Sequence, residues 1–240
     1  MTSIACVTGA GRGLGLHLTR EMLERGYAVF AGEHCREKSG LDELEEQYAG
    51  LLHRVPLDIG DDESVAAAGR QIAAKTGHVD ILYNNAGIIK PQDYATLREE
   101  MDMEAMAGIF NVNTLGTLRV TRAMLPLLLQ GEGRLVVNIS SEAGSIARNS
   151  RTSMYGYCMS KAALNMQSSL VHQELKPQGG AVMVFHPGWM RTFMNGEPDP
   201  NAPVLPEEAA CKIAALVERR GGERPEQPLY LDLEGEAWPW

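Results

Sequence analysis

Tyr157 and Lys161, in the stretch TSMYGYCMSK at 152–161, stand four residues apart, and Tyr155 stands six from the same lysine. On a helix of about 3.6 residues per turn the first pair shares a face, whereas Tyr155 points roughly 240° round. Geometry therefore nominates Tyr157. A phenol titrates near about 10 in water, and a cation held beside it lowers that by roughly 1–3 units, toward the range useful for proton transfer. A YxxxK pair also occurs on ordinary solvated helix faces, so it acquires chemical meaning only in company.

Company is found near the start of the chain. The run TGAGRGLG carries Gly9, Gly11, Gly13 and Gly15 between an apolar stretch and the amphipathic LHLTREMLERG. Glycines there let the backbone turn tightly and bring amide N–H groups and a helix N-terminus against a pyrophosphate, where the helix dipole favours negative charge. The spacing is not GxGxxG, because no glycine falls three positions after Gly11 or Gly13.

The elements that must position these residues alternate along the chain. Short apolar runs, IACVT, YAVFAG, LLHRVPLD, VDILYNN, RLVVNIS, AVMVFHP and PLYLDL, are each apolar on both faces, as strands between two helical layers are. Helical segments are predicted between them near 13–25, 41–48, 62–76, 97–130, 155–176 and 206–220. The alternation predicts an α/β fold: a single-domain, Rossmann-type, doubly wound parallel sheet of about seven strands with helices on both faces, spanning residues 1–240. Residues 190–206, MRTFMNGEPDPNAPVLP, contain four prolines and no apolar period, which predicts a loop that serves as a substrate lid.

Taken in order, Thr8-Gly9-xxx-Gly13-x-Gly15, Asn84-Asn85-Ala86-Gly87, Asn113 in VNTLGT, Ser141 in NISS, Tyr157-xxx-Lys161 and Pro187-Gly188 with Thr192 resemble the short-chain dehydrogenase/reductase family. The resemblance runs from residue 3 to about 220. Within the family, YGYCMSKAALNM, FHPGWMRT and the ending YLDLEGEAWPW look most like the C-factor-like carbonyl reductases. This implies an NAD(P)-dependent oxidoreductase that interconverts a ketone or aldehyde with an alcohol. The other class the resemblance raises is a nucleotide-binding signalling or sensor protein of C-factor type with incidental turnover.

Hydride transfer at a carbonyl carbon leaves an oxygen that must gain or lose a proton, so the site needs an acid/base and a donor that polarises the C–O bond. Tyr157 suits the first role and Ser141 the second, although Ser140 and Ser145 are nearby hydroxyls. By the resemblance, Lys161 lowers the phenol's pKa and hydrogen-bonds the nicotinamide ribose, and Asn113, with Asn111 close by, holds a water for a proton relay. Ser141 and Tyr157 are separated by a longer interval than in many relatives, the extra residues falling in ARNSRTS. The cofactor-binding set implied in the same way is Gly9, Arg12, Gly13, Leu14, Gly15, Glu33, Asp58, Ile59, Asn85, Ala86, Gly87, Tyr157, Lys161, Pro187, Gly188 and Thr192. Asp58 is equally readable as an N-cap or turn residue before the 62–76 helix. His186 reads as a satisfied strand-end histidine rather than a second base.

At the end of the second strand Glu33 can take ribose hydroxyls and repel a 2′-phosphate, which favours NAD. Arg12, His34 and Arg36 could instead receive that phosphate, so NADP stands close behind. With 22 basic and 31 acidic residues the net charge is −9, which disfavours nucleic acid and anionic membranes as partners. The longest dense apolar run, MLPLLL, is too short to span a bilayer, and no leader pattern opens the chain, so a soluble cytoplasmic protein is expected. Cys6, Cys35, Cys158 and Cys211 are too scattered for a disulfide framework or a metal knuckle; no metal is expected. The remaining partners expected are a small carbonyl or alcohol substrate and further copies of the chain, as a homodimer or homotetramer through the 97–130 and 155–176 helices.

Overall fold

In a computed structural model describing residues 2–240, apart from the side chains of Lys38 and Asn195, seven strands form one parallel sheet. They are β1 (Ile4–Thr8), β2 (Ala28–Glu33), β3 (Leu52–Pro56), β4 (Ile81–Asn84), β5 (Leu135–Ile139), β6 (Ala181–Phe185) and β7 (Leu229–Leu231), in the order β3-β2-β1-β4-β5-β6-β7. The order reverses between β1 and β4, and in open α/β sheets that reversal opens a crevice beyond the carboxyl ends of the strands.

Seven helices connect them: α1 (Gly13–Glu24), α2 (Leu41–Gln47), α3 (Asp62–Ala73), α4 (Met103–Phe110), α5 (Thr117–Leu128), α6 (Tyr155–Leu175) and α7 (Pro206–Arg220). Alternate strand residues feed two cores. Val7, Val29, Tyr83, Val137 and Phe185 pack with Leu18 and Met22 of α1 and Ile213 and Val217 of α7. Cys6, Phe30, Leu82, Val136 and Val184 face the other way, onto Val65 and Ile72 of α3 and Val120 and Met124 of α5. This two-sided burial is why the strand runs are apolar on both faces.

The helix predicted over 97–130 differs. Residues 97–102 are not helical, Asp102 caps α4 by accepting from Ala105 N at 2.8 Å, and a π turn at Asn111–Gly116 separates α4 from α5. The π turn follows from partners outside the helix. Asn113 is drawn to the backbone of Ile88, Thr117 Oγ1 donates to the Asn113 carbonyl at 3.0 Å, and a Cβ on Gly116 would lie 2.7 Å from the Ile59 carbonyl oxygen.

Candidate active site

The glycine turn lies at the sheet's reversal point. Gly9 has φ +65°, and a Cβ at Gly15 would sit 2.1 Å from the Gly9 carbonyl oxygen, so the chain folds back on itself where only glycine fits. Asn85 braces the turn: its Nδ2 donates to the carbonyls of Thr8 at 2.9 Å and Gly9 at 3.2 Å, while Thr8 Oγ1 accepts from Asn85 N and Ala86 N. Helix α1 begins at Gly13 with no side chain capping its first amides and no acidic residue in its first turn. Free amides at a helix N-terminus beside a crevice fit a pyrophosphate. Leu14 is buried beneath them. Thr192 approaches Gly13, and the Arg12 guanidinium lies 5.7 Å from the Phe193 ring, so the start of the 190–206 loop rests on the glycine turn.

Glu33 lies beside this turn, but its carboxylate is already paired. Arg54 of β3 donates Nε to one oxygen at 2.7 Å and Nη2 to the other at 3.1 Å, with both side chains about 5% exposed (Arg54 5%, Glu33 6%). Asp42 and Glu45 complete the arginine's partners. The acidic group expected to be free at the ribose is therefore engaged by Arg54, which the sheet register brings opposite β2. Asp58 is a turn residue, its Oδ1 accepting from Gly60 N at 2.8 Å, and the N-cap of α3 is Asp61, which accepts from Ser64 N. The Ile59 side chain is in the core.

At the ends of β4 and β5 the reactive residues converge. A Cβ at Gly87 would meet Asn113 Oδ1 at 3.4 Å and Lys161 Nζ at 3.6 Å. Lys161 is 3% exposed, donates Nζ to the Ile139 carbonyl at 2.9 Å, and lies 5.7 Å from the centre of the Tyr157 ring. Burial lowers its pKa to about 8. The expected depression of the phenol is not what this arrangement gives: burial raises the Tyr157 pKa above its ordinary value, with Ser141 the largest influence opposing the rise. The ammonium is directed at a strand carbonyl, so desolvation dominates the phenol. Asn113 is held by protein on both ends of its amide: Oδ1 accepts from Ile88 N at 2.8 Å, and Nδ2 donates to Ile88 O at 2.9 Å and Ser160 Oγ at 3.0 Å.

The structure distinguishes the three serines. Ser140 Oγ donates to Asn165 at 2.6 Å and Ser145 Oγ to the Trp240 carbonyl at 3.3 Å, which commits both away from the phenol. Ser141 Oγ donates to Glu142 Oε2 at 2.8 Å and accepts from Ala143 N at 3.2 Å. Glu142, unanticipated from sequence, is also paired with Arg151 and is held below the ordinary carboxylate range despite its burial, through Ser141 and Arg151. His186 is satisfied at the strand end, its Nδ1 accepting from Glu142 N at 3.1 Å and Gly188 N at 3.3 Å. Gly188 has φ +78° after Pro187, turning the chain toward the 190–206 loop.

The residue that sequence reasoning missed most completely is Asp93. It is 0% exposed, and its two carboxylate oxygens accept from Gly156 N and Tyr157 N, both at 2.7 Å. Its backbone carbonyl accepts from Met154 N at 2.8 Å. Met154 precedes α6 at φ +62° and offers no capping side chain, so the cap of the helix that carries Tyr157 and Lys161 is supplied from a distant loop.

Among the described residues no helix is long and apolar enough to cross a membrane, and no group of three His, Cys, Asp or Glu is disposed to hold a metal. A sequence profile for the short chain dehydrogenase family matches residues 3–202. The C-signal of Myxococcus xanthus is 39% identical over 166 residues, covering 69% of this chain and 95% of that protein. Retinol dehydrogenase 5 of Mus musculus is 36% identical over 191 residues, 78% of this chain but 56% of that protein, so the match spans little more than half its length. Among solved structures, a carbonyl reductase from Pseudomonas aeruginosa PAO1 in complex with NADP superposes with a TM-score of 0.83 at 31% identity, covering 100% of both chains. An NADPH-bound carbonyl reductase from chicken fatty liver gives 0.87 at 27% identity, covering 100% of this chain and 99% of that one. With the profile match over most of its length and a pyrophosphate-type turn at the sheet's reversal point, the chain is a member of the short-chain dehydrogenase/reductase family, an NAD(P)-dependent oxidoreductase acting on small molecules.

Proposed function

We propose that the protein interconverts a ketone or aldehyde with an alcohol, Tyr157 acting as the general acid in reduction and the general base in oxidation. The observation that carries this is the meeting of Asn113 and Lys161 beside Gly87, with the Tyr157 ring 5.7 Å from the Lys161 ammonium, Ser141 acting on the phenol, and burial keeping that phenol protonated. The bound nicotinamide coenzyme supplies or removes the hydride. Tyr157 gives its proton to the carbonyl oxygen, and the phenolate left behind is stabilised by the buried Lys161 charge. Before that, Ser141 must turn its hydroxyl from Glu142 to the substrate oxygen. Asn113 bonds both backbone groups of Ile88 and so holds the segment next to Gly87, while its Oδ1 keeps a second acceptor position open for the expected water.

The glycine turn and the amides of α1 hold the pyrophosphate, with Asn85, Ala86, Gly87, Pro187, Gly188 and Thr192 around the coenzyme. Because Arg54 engages both Glu33 oxygens, that carboxylate is less free to take ribose hydroxyls, and the chain is proposed to accept both NADH and NADPH. The names of the carbonyl reductases above, bound to NADP and NADPH, support the same choice. The 190–206 loop, with Trp189, Phe193 and Met194 exposed beside the glycine turn, forms the lid. Leu118 of α5 and Met159, Met166 and Leu170 of α6 are exposed apolar residues that support a homodimer or homotetramer, and the protein is proposed to be cytoplasmic.

The test follows NAD(P)H oxidation with a panel of ketones and aldehydes, for wild type beside Tyr157→Phe. The expected loss is about 100-fold or more in kcat, the usual worth of a positioned acid/base. The C-signal similarity keeps a second outcome in view: coenzyme binding without any Tyr157-dependent turnover refutes the enzymatic proposal and supports a sensor.

A further inference from the structure

Ser141 is the second residue after β5, on a segment that runs on to Met154 before α6 begins at Tyr155. On one side this segment packs against α6, where Asn165 Nδ2 donates to the Gly144 carbonyl at 3.1 Å. Its other side is covered by residues 230–240. Tyr230 of β7 donates its hydroxyl to the Ser141 carbonyl at 2.7 Å, beside the Gly144 N–H that reaches the same oxygen at 2.9 Å. The chain then reverses through Asp232, whose Oδ1 accepts from Glu234 N and Glu236 N, and Trp238 N returns to the Tyr230 carbonyl at 2.7 Å.

The reversal delivers two indoles to the serine segment. The Trp240 carbonyl accepts from Ala147 N at 3.2 Å and Ser145 Oγ at 3.3 Å, and its ring lies 4.8 Å from that of Tyr230. The Trp238 ring lies 4.7 Å from His186, the acceptor for Glu142 N, and carries the Arg148 guanidinium at 5.0 Å. Apart from the Trp240–Tyr230 ring contact, which joins two members of the tail, these contacts land on the segment bearing Ser141 or on the histidine that holds its neighbour.

We infer that residues 230–240 form a clamp that sets the position of the catalytic serine, with Tyr230, Trp238 and Trp240 as positioning residues for proton transfer at the carbonyl. The clamp rests on the proposed oxidoreductase chemistry in which Ser141 polarises the C–O bond. Tyr230 is suited to a fixed donor: burial pushes its pKa up to about 12, so the hydroxyl keeps its proton through any working range. A catalytic donor must stay within a fraction of an ångström of its productive place, which is why a bond to the serine's own carbonyl matters more than one elsewhere on the loop.

The experiment compares wild type, Tyr230→Phe, Trp238→Ala and Trp238→Phe for kcat, KM, coenzyme Kd and amide hydrogen exchange over 141–148. Tyr230→Phe removes one hydroxyl from an otherwise retained ring and is expected to lower kcat about fivefold to tenfold while coenzyme Kd stays within about twofold. Exchange over 141–148 rises with it; Trp238→Ala behaves likewise and Trp238→Phe recovers most of the loss. Unchanged kcat in Tyr230→Phe and Trp238→Ala overturns the clamp, whether or not exchange or thermal stability moves. Absence of Tyr157-dependent turnover in wild type overturns the enzymatic proposal instead, and exchange over 141–148 then decides by itself whether the tail holds the segment.

Discussion

Asp93 should be the side chain outside the reacting groups whose removal the protein feels most. Its carboxylate takes two backbone N–H bonds of 2.7 Å from Gly156 and Tyr157 in a fully buried setting, where hydrogen bonds to a charged acceptor are worth about 1.5–3 kcal/mol each. A negative group at the first turn of a helix adds about 0.3–2 kcal/mol through the dipole. Asp93→Ala deletes both bonds and leaves two buried donors unpaired, so a loss of about 4 kcal/mol is expected, a large share of the roughly 5–15 kcal/mol typical of a domain. Asp93→Asn retains one acceptor but turns an amide N–H₂ toward the other donor, and about half that loss is expected. A Cβ at Gly156 would lie 2.9 Å from Asp93 Oδ1, so the helix start cannot slide to find another partner without repacking. Tyr157 is the second residue held, and kcat should therefore fall about tenfold in Asp93→Asn while coenzyme Kd holds. Denaturant unfolding gives the stability, and kcat and KM are read at a temperature where the variant is folded. A loss under about 1 kcal/mol in Asp93→Ala refutes the energetic account. A stability loss with kcat unchanged refutes the positioning of Tyr157.

Lys161 gives a pH signature. Its pKa in the folded, cofactor-free protein is lowered from 10.5 to about 8, so between those values the unfolded chain holds the proton that the folded chain has lost, and stability rises with pH across that window. Relative to wild type, Lys161→Met should be favoured by about 3 kcal/mol more near neutral pH than above the upper value, a difference measured by paired unfolding curves in which Cys and Tyr titrations cancel; a pH-independent gap refutes it. Arg54→Met should cost about 3–5 kcal/mol by stranding the buried Glu33 carboxylate and should weaken NADPH binding more than NADH, whereas the Glu33→Leu, Arg54→Met pair recovers most of the stability; equal stabilities of wild type and Arg54→Met sink the pairing account.

What could be read from sequence is what depends on near neighbours. Gly15 betrays the turn because a Cβ there would strike the Gly9 carbonyl, a constraint settled within seven residues. The strands betray themselves because a sheet covered on both faces needs apolar residues at consecutive positions. Tyr157 and Lys161 stand out because helical periodicity pairs them within one turn. What escaped depends on partners far away: Arg54 reaches Glu33 across 21 residues, Asp93 reaches Tyr157 across 64, and Tyr230 reaches Ser141 across 89. The π turn belongs with these, since nothing in NVNTLG breaks a helix until Ile88 claims Asn113 and Ile59 crowds Gly116.

Tyr157 lies across both categories, and its protonation shows why charge is harder to read than position. Spacing identifies the cation beside it, but the sign of the net effect depends on how much water each group has lost. With Lys161 buried and directed at Ile139, desolvation wins and the phenol holds its proton more tightly than in water. In the proposed chemistry a tyrosine in that state is the proton donor for carbonyl reduction, and the rate of alcohol oxidation, which uses the phenolate, should gain as pH rises. The phenol's protonation is thus tied to the orientation of one buried ammonium, a quantity that no pattern of residue types contains.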